Sequence, residues 1–93
     1  MVVGVLTVHL HIPWARSLKD KRSAVQGMLR RIRQRFNVSA SEVDLKGVCQ
    51  EAIVAFACAA RDEGEVRGLL EAVRRFLERN GELEVLSAAV DLW

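Results

Sequence analysis

The sequence predicts an α+β fold in which four antiparallel strands form a sheet and two helices cover one of its faces. Apolar residues recur with the two-residue period of strands in four segments and with the helical period in two, and the order of these segments is β-α-β-β-α-β. Each helical segment carries one apolar stripe. This order is that of the ferredoxin-like sandwich. A chain of 93 residues with 51% hydrophobic residues is expected to form one domain over residues 1–93. We expect the first and third strands at the centre of the sheet, parallel to each other.

The first half of the chain holds the first strand and the first helix. Residues alternate between two faces over Val2–Ile12, and Pro13 ends this strand because proline cannot donate to a ladder. Apolar residues then recur every three or four positions, which predicts a helix over residues 18–36. Ser17 has the position of its N-cap, and Asn37 has the position of its C-cap.

The second half of the chain repeats the pattern. A less regular strand is predicted over Val38–Leu45, with a turn at Lys46–Gly47. The nearly continuous apolar run over residues 50–60 predicts a central strand. A second helix begins at Asp62–Glu63 and is ended by a C-cap at Asn80–Gly81. Residues Glu82–Trp93 alternate again and predict the last strand.

One face of the predicted sheet has no helix to cover it. The alternation places small, mostly apolar side chains on this face, among them Val3, Val5, Val85 and Ala89. Exposed apolar patches of this kind mark interaction surfaces. We therefore expect a homodimer with these four residues at its interface. An adaptor that binds another protein through the same face is the alternative function.

Positive charge is concentrated in the first helix and the loop before it. Residues 15–35 hold eight Lys and Arg side chains and one acid, a net charge of +7, so the rest of the chain carries −5. The candidate nucleic-acid contacts form one stripe: Arg16, Lys19, Arg22, Arg30 and Arg33. Such a stripe is either a solvated face paired with acidic surface elsewhere or a surface that follows the phosphates of RNA. The sequence leaves both interpretations open.

Residue types that bind metals are present but are not clustered in the sequence. His9 and His11 lie on the same side of the first strand and could chelate a metal, but no third ligand can be placed beside them. Cys49 and Cys58 are expected to be reduced and structural. We therefore expect neither a metal nor a cofactor.

Enzymatic function has little support in the sequence, which lacks glycine-rich phosphate loops and nucleophile motifs. A phosphate-binding enzyme of acylphosphatase-like topology is a minor alternative, in which Arg16 lies in the phosphate loop and Asn37 opens the second strand. Base stacking on the central strands would rely on Phe56 alone. No apolar run is long enough to span a membrane and no signal peptide is recognised, so a cytoplasmic location is expected. The excess of Arg over Lys is consistent with a thermophile or with a GC-rich genome.

Two separated motifs resemble a small bacterial family of unknown function typified by YlxP. The matching segments are Ile12–Pro13, Ala15–Arg22, Arg35–Ser39 and Glu42–Asp44. The chain departs from the family pattern in the segment LKGVCQEA, which follows Asp44. The resemblance implies a ferredoxin-like fold and no established activity. Members are often encoded beside translation genes, including that for ribosome-binding factor A, which implies RNA or ribosomal components as partners.

Within the first of these motifs, we expect each residue of the stretch SLKDKR to have a separate role. Ser17 is expected to cap the helix, and Leu18 is expected to enter the core. Lys19 and Arg22 are expected to project outward beside Arg16, where the positive end of the helix dipole adds to their field.

Overall fold

The computed structural model describes residues 1–43 and 47–93 and confirms the predicted ferredoxin-like fold. The four strands form one antiparallel sheet in the order β2-β3-β1-β4. Residues 44–46, which include the end of the predicted second strand and part of the predicted turn, lie outside the described residues. The elements in chain order are β1 (Val2–His11), α1 (Leu18–Arg35), β2 (Ser39–Glu42), β3 (Glu51–Ala60), α2 (Glu63–Glu78) and β4 (Glu84–Leu92).

The two central strands, β1 and β3, run antiparallel to each other. Val2 lies opposite Ala60, and His11 lies opposite Glu51. The expectation that these strands are parallel was therefore wrong. Since β2 and β1 are both antiparallel to β3, it is β1 and β2 that share a direction, and β3 separates them. The helical connection joins the parallel pair, and the chain then reverses between β2 and β3.

The core lies between the sheet and the helices. Alternate residues of β1 and β3 are buried, which follows from the two-residue period of a strand. Gly4 shows how closely α2 packs on β1, because a Cβ atom there would lie 2.2 Å from Cγ1 of Val66. The helical residues buried in this core are Val25, Met28, Leu29 and Ile32 from α1 and Val66, Leu70, Val73 and Leu77 from α2.

The helix ends are fixed by side-chain caps. Ser17 Oγ accepts a hydrogen bond of 3.0 Å from the N–H of Asp20, which confirms the predicted N-cap. The predicted C-cap at Asn37 was wrong by one residue. The chain is already extended at Phe36, whose N–H donates to the carbonyl of Ile32 at 2.8 Å. Helix α2 is likewise capped one residue before the predicted position, at Arg79. Differences of this size are usual at helix ends.

A β-bulge in the pairing of β1 with β4 changes which residues face the core. The register shifts between His9 and Leu10, so that Val85 lies opposite Leu10 and packs against the core. The predicted placement of Val85 on the open face was therefore wrong. An irregularity of one residue reverses the direction of the side chains that precede it in the strand. Glu84 takes the open-face position instead, opposite His11.

The rest of the open face is arranged as the alternation predicts. Val3, Val5 and Ala89 lie on it, since Val3 and Val5 are paired with the alternate residues of β3 that point away from the helices. Neither helix within the described residues is long and apolar enough to cross a membrane.

Candidate nucleic-acid interface

The stretch SLKDKR forms the first turns of α1, and its side chains divide between surface and core. Arg16, Lys19 and Arg22 are exposed, as predicted from the helical period. Leu18 is 48% exposed, so the expectation that it enters the core was wrong. Lys21 takes the inward position and is only 2% exposed. The motif therefore contributes one buried lysine as well as exposed positive charges.

Lys21 connects α1 to the segment before β3. Its Nζ atom donates a hydrogen bond of 2.6 Å to the carbonyl oxygen of Val48. A buried ammonium group needs such acceptors because its desolvation is unfavourable. Lys21 therefore has a structural role, and the phosphate contacts must come from its exposed neighbours.

The loop that carries Arg16 is held by further hydrogen bonds. The side chain of Gln50 donates to the carbonyls of Pro13 and Ala15, at 3.3 and 3.2 Å. The N–H of Arg16 donates to Asp20 Oδ2 at 3.0 Å. These bonds fix the backbone at Arg16 relative to α1, so a bound phosphate would not have to order this loop first.

The same bonds count against the acylphosphatase-like alternative. A phosphate loop needs backbone N–H groups that are directed at the anion. The N–H of Arg16 is bonded to Asp20, and the N–H of Ala15 is bonded to the carbonyl of Ile12 at 3.1 Å. The loop thus uses these two donors internally. Nothing in its geometry supports an enzyme that binds phosphate in this way.

The stripe on α1 carries positive charge that no carboxylate of the described residues neutralises by an ion pair. Lys19, Arg22, Arg30 and Arg33 are all exposed and lie on the side of the helix away from α2. Within residues 1–43 and 47–93, none of these four side chains forms an ion pair. The carboxylate of Asp20, the only acid of α1, accepts a hydrogen bond from the backbone N–H of Arg16.

Helix α2 differs, because its charges are paired along the helix itself. Arg74 contacts both Glu71 and Glu78, and this arginine holds the pKa of Glu71 below its usual value. Three further pairs are Arg61–Glu65 at 3.5 Å, Arg67–Glu63 at 3.2 Å and Arg75–Glu71 at 3.5 Å. The acids of α2 are therefore engaged on α2 and do not neutralise α1 in the part of the chain that the structure describes.

Arginines also line the other flank of α1, where it approaches α2. The guanidinium carbon of Arg35 lies 5.4 Å from the ring centroid of Phe76, and Arg31 lies one turn before it. Arg79 lies across from them, beyond the end of α2. The helical period is enough to place Arg31 and Arg35 on the flank opposite the stripe, but no sequence pattern indicates that Phe76 and Arg79 adjoin them. That proximity depends on how the two helices pack.

The aromatic residues are placed differently from those of RNA-binding sheets. Phe56 is fully buried on the helix side of β3, so it cannot stack on a base. Trp14 is 44% exposed in the loop that carries Arg16. Trp93 is 71% exposed and extends β4 by exchanging two backbone hydrogen bonds with Val3. Both tryptophans were missed by sequence reasoning, although the position of Trp14 directly after Pro13 indicates a loop.

The two histidines of the open face each lie beside a glutamate. His9 Nε2 is 2.7 Å from Glu51 Oε1, at an angle unsuited to a hydrogen bond, and His11 Nδ1 is 3.2 Å from Glu84 Oε2. Among the residues that the structure describes, no group of three or more His, Cys, Asp or Glu side chains is arranged to hold a metal ion. The pairs thus make the open face polar at one end.

Comparison with known proteins gives a family without an assigned activity. Residues 3–90 match the family described as protein of unknown function (DUF503). No curated protein matches the chain.

Proposed function

We propose that this chain, which belongs to the DUF503 family, is a non-enzymatic cytoplasmic protein that binds RNA phosphates through α1. The observation that carries the proposal is the positive charge of Lys19, Arg22, Arg30 and Arg33, which are exposed and form no ion pair within the described residues, while the charges of α2 are paired. The contacts would be Arg16, Lys19, Arg22, Arg30 and Arg33. The resemblance to the family typified by YlxP favours ribosomal RNA or ribosomal components as the partner.

The dimensions of the stripe suit a nucleic-acid strand. Lys19 and Arg33 are fourteen residues apart, which corresponds to about 21 Å along a helix. Guanidinium groups donate two parallel hydrogen bonds to one phosphate, and Arg16 and Lys19 also lie at the positive end of the helix dipole. A strand laid along this stripe would therefore meet a donor at nearly every helical turn.

Trp14 favours single-stranded RNA over a duplex. Its exposed ring lies in the same loop as Arg16, at the end of the stripe where the helix begins. An aromatic side chain beside phosphate contacts can stack on an unpaired base, which contributes about 1–3 kcal/mol. In duplex RNA the bases are stacked on each other and are not available for this contact.

The salt dependence of RNA affinity tests the proposal. Four or five phosphate contacts to a single strand predict a log–log slope of roughly −3 for the association constant against salt concentration. Fluorescence anisotropy of a labelled single-stranded RNA, titrated at several salt concentrations, measures this slope. A slope near zero, or no binding at low salt, would contradict the proposal. Capture of ribosomal components from lysate, with and without RNase, then tests the class of partner.

A second candidate function is self-association through the open sheet face. The supporting observation is the partly exposed apolar surface formed by Val3, Val5, Ala89 and Trp93, on the face that no helix covers. Asp91, opposite Val5, adds one charge to this face. Four strands of no more than ten residues each give this face at most roughly 600 Å². Standard interfaces bury about 800 Å² on each partner, so the expected homodimer is weak. As an adaptor, the chain would offer the same face to another protein.

Replacing Val5 with Glu is expected to convert this dimer into a folded monomer, because the interface would bury an unpaired charge. Sedimentation velocity over a range of concentrations measures the change. Gln34→Glu is the matched control, since it adds the same charge at an exposed position of α1. A wild-type protein that is already monomeric at high micromolar concentration would rule out the dimer.

A further inference from the structure

An arginine-lined groove lies between the C-terminal ends of the two helices. Its volume is about 570 Å³, within the usual range for sites that bind small molecules. Arg31 and Arg35 line it from α1, Phe76 and Arg79 line it from the end of α2, and residues 80–82 complete its lining. Two smaller hollows adjoin it and share Arg35 and Phe76. The groove belongs to the α2 flank of α1, so it is separate from the stripe assigned to RNA.

The groove is positively charged. Among the described residues, no carboxylate forms an ion pair with Arg31, Arg35 or Arg79, and Glu82 is the one acid in its lining. Helix C-termini also favour cations, but each end is equivalent to only about half a negative charge. Three guanidinium charges therefore exceed the carboxylate and the two helix ends together. The positive charge of the groove is therefore larger than the charge needed to offset the two helix C-termini.

Arg35 is held by aromatic rings in place of a carboxylate. Its guanidinium carbon lies 5.4 Å from the centroid of Phe76 and 5.9 Å from that of Phe36. The two rings are themselves packed edge to face, with centroids 5.8 Å apart. A guanidinium stacked on a ring keeps its N–H edge available for an anion. Phe36 and Phe76 thus position Arg35 without using its hydrogen-bond donors.

From these features we infer that the groove binds a terminal phosphate group, carried by an RNA end or by a small phosphorylated compound. A phosphate monoester carries nearly two negative charges and three strong acceptor oxygens, which suits a groove lined by three arginines. A backbone phosphodiester carries only one charge. Phe76 adds a partly exposed ring beside the arginines, against which the sugar or base of a nucleotide would pack. The inference goes beyond the proposed function, because it concerns other residues and a different phosphate.

Two oligonucleotides that differ only at the 5′ end test the inference. A short RNA labelled at its 3′ end is titrated by anisotropy, once with a 5′ phosphate and once with a 5′ hydroxyl. We expect the phosphorylated RNA to bind about tenfold more tightly, as one additional charge-assisted hydrogen bond would give. Pyrophosphate at matched ionic strength should compete for the site. In Arg79→Gln, both the preference and the competition should be lost.

Arg67→Gln is the matched control, because Arg67 is an exposed arginine of the same helix that lies outside the groove. It should keep both properties, and equal losses in the two variants would overturn the inference. Pyrophosphate binding measured directly by calorimetry, lost in Arg79→Gln and accompanied by no preference for either RNA end, would assign the site to small phosphorylated compounds. If pyrophosphate does not bind and neither RNA end is preferred, the inference is overturned. The RNA stripe on α1 is tested separately by the salt slope of the wild type. A negative result for the groove therefore does not contradict the proposed function.

Discussion

Replacing both Arg22 and Arg30 with Glu is expected to weaken RNA binding more than a hundredfold while the fold is retained. Both side chains are exposed, lie off the apolar side of α1 and are unpaired within the described residues. A hydrogen bond to a charged group contributes about 1.5–3 kcal/mol, so loss of two such contacts gives a factor of this size. The loss should be similar for unrelated RNA sequences, because phosphate contacts carry no base information.

The salt slope distinguishes loss of contacts from a general change in charge. Removing two phosphate contacts to a single strand should reduce the magnitude of the slope by about 1.4. The matched control is a double variant in which Arg61 and Arg67 become Glu, which changes the net charge equally in α2 and just before it. Equal losses in the two double variants would indicate that only total charge matters. Unchanged RNA affinity in the α1 variant would mean that SLKDKR only begins the helix and does not bind RNA.

Features with a local cause were predictable from the sequence. The strand faces of β1 follow from a two-residue period, and the stripe on α1 follows from a helical period. The Ser17 cap depends on residues within one turn of each other. For the same reason, the two flanks of α1 could be separated before the structure was known. The positions of Arg22, Arg30 and Arg31 are a consequence of helix geometry alone.

Features that depend on distant residues were not predictable in this way. Val85 faces the core because a bulge shifts its pairing with β1, and no residue type marks the bulge. Lys21 is buried and bonded to the carbonyl of Val48. Because Val48 lies 27 residues away in the sequence, no local pattern indicates this contact. The groove between Arg35 and Arg79 exists because two helix ends meet. Each of these requires the tertiary arrangement, which hydrophobic periodicity does not specify.

Replacing Lys21 with Met is expected to lower the free energy of unfolding by about 1.5–3 kcal/mol, the usual contribution of a hydrogen bond to a charged group. Methionine fills a similar volume, so the change removes mainly the charge and its donors. The carbonyl of Val48 would lose its ammonium donor, and α1 would lose a link to the segment before β3. Because Lys21 is only 2% exposed, water cannot reach the carbonyl of Val48 to replace the lost donor unless the packing around it opens.

The Lys21→Met prediction separates the structural lysine of SLKDKR from the phosphate-binding ones. Urea denaturation measures the stability, and the RNA titration is repeated well below the unfolding transition. Lys19→Met is the matched control, because Lys19 is exposed two residues earlier and its loss should change stability by less than about 0.5 kcal/mol. RNA affinity should fall in Lys19→Met and persist in Lys21→Met. The opposite pattern would mean that Lys21 reaches the phosphates, and the division of SLKDKR between surface and core would then be wrong.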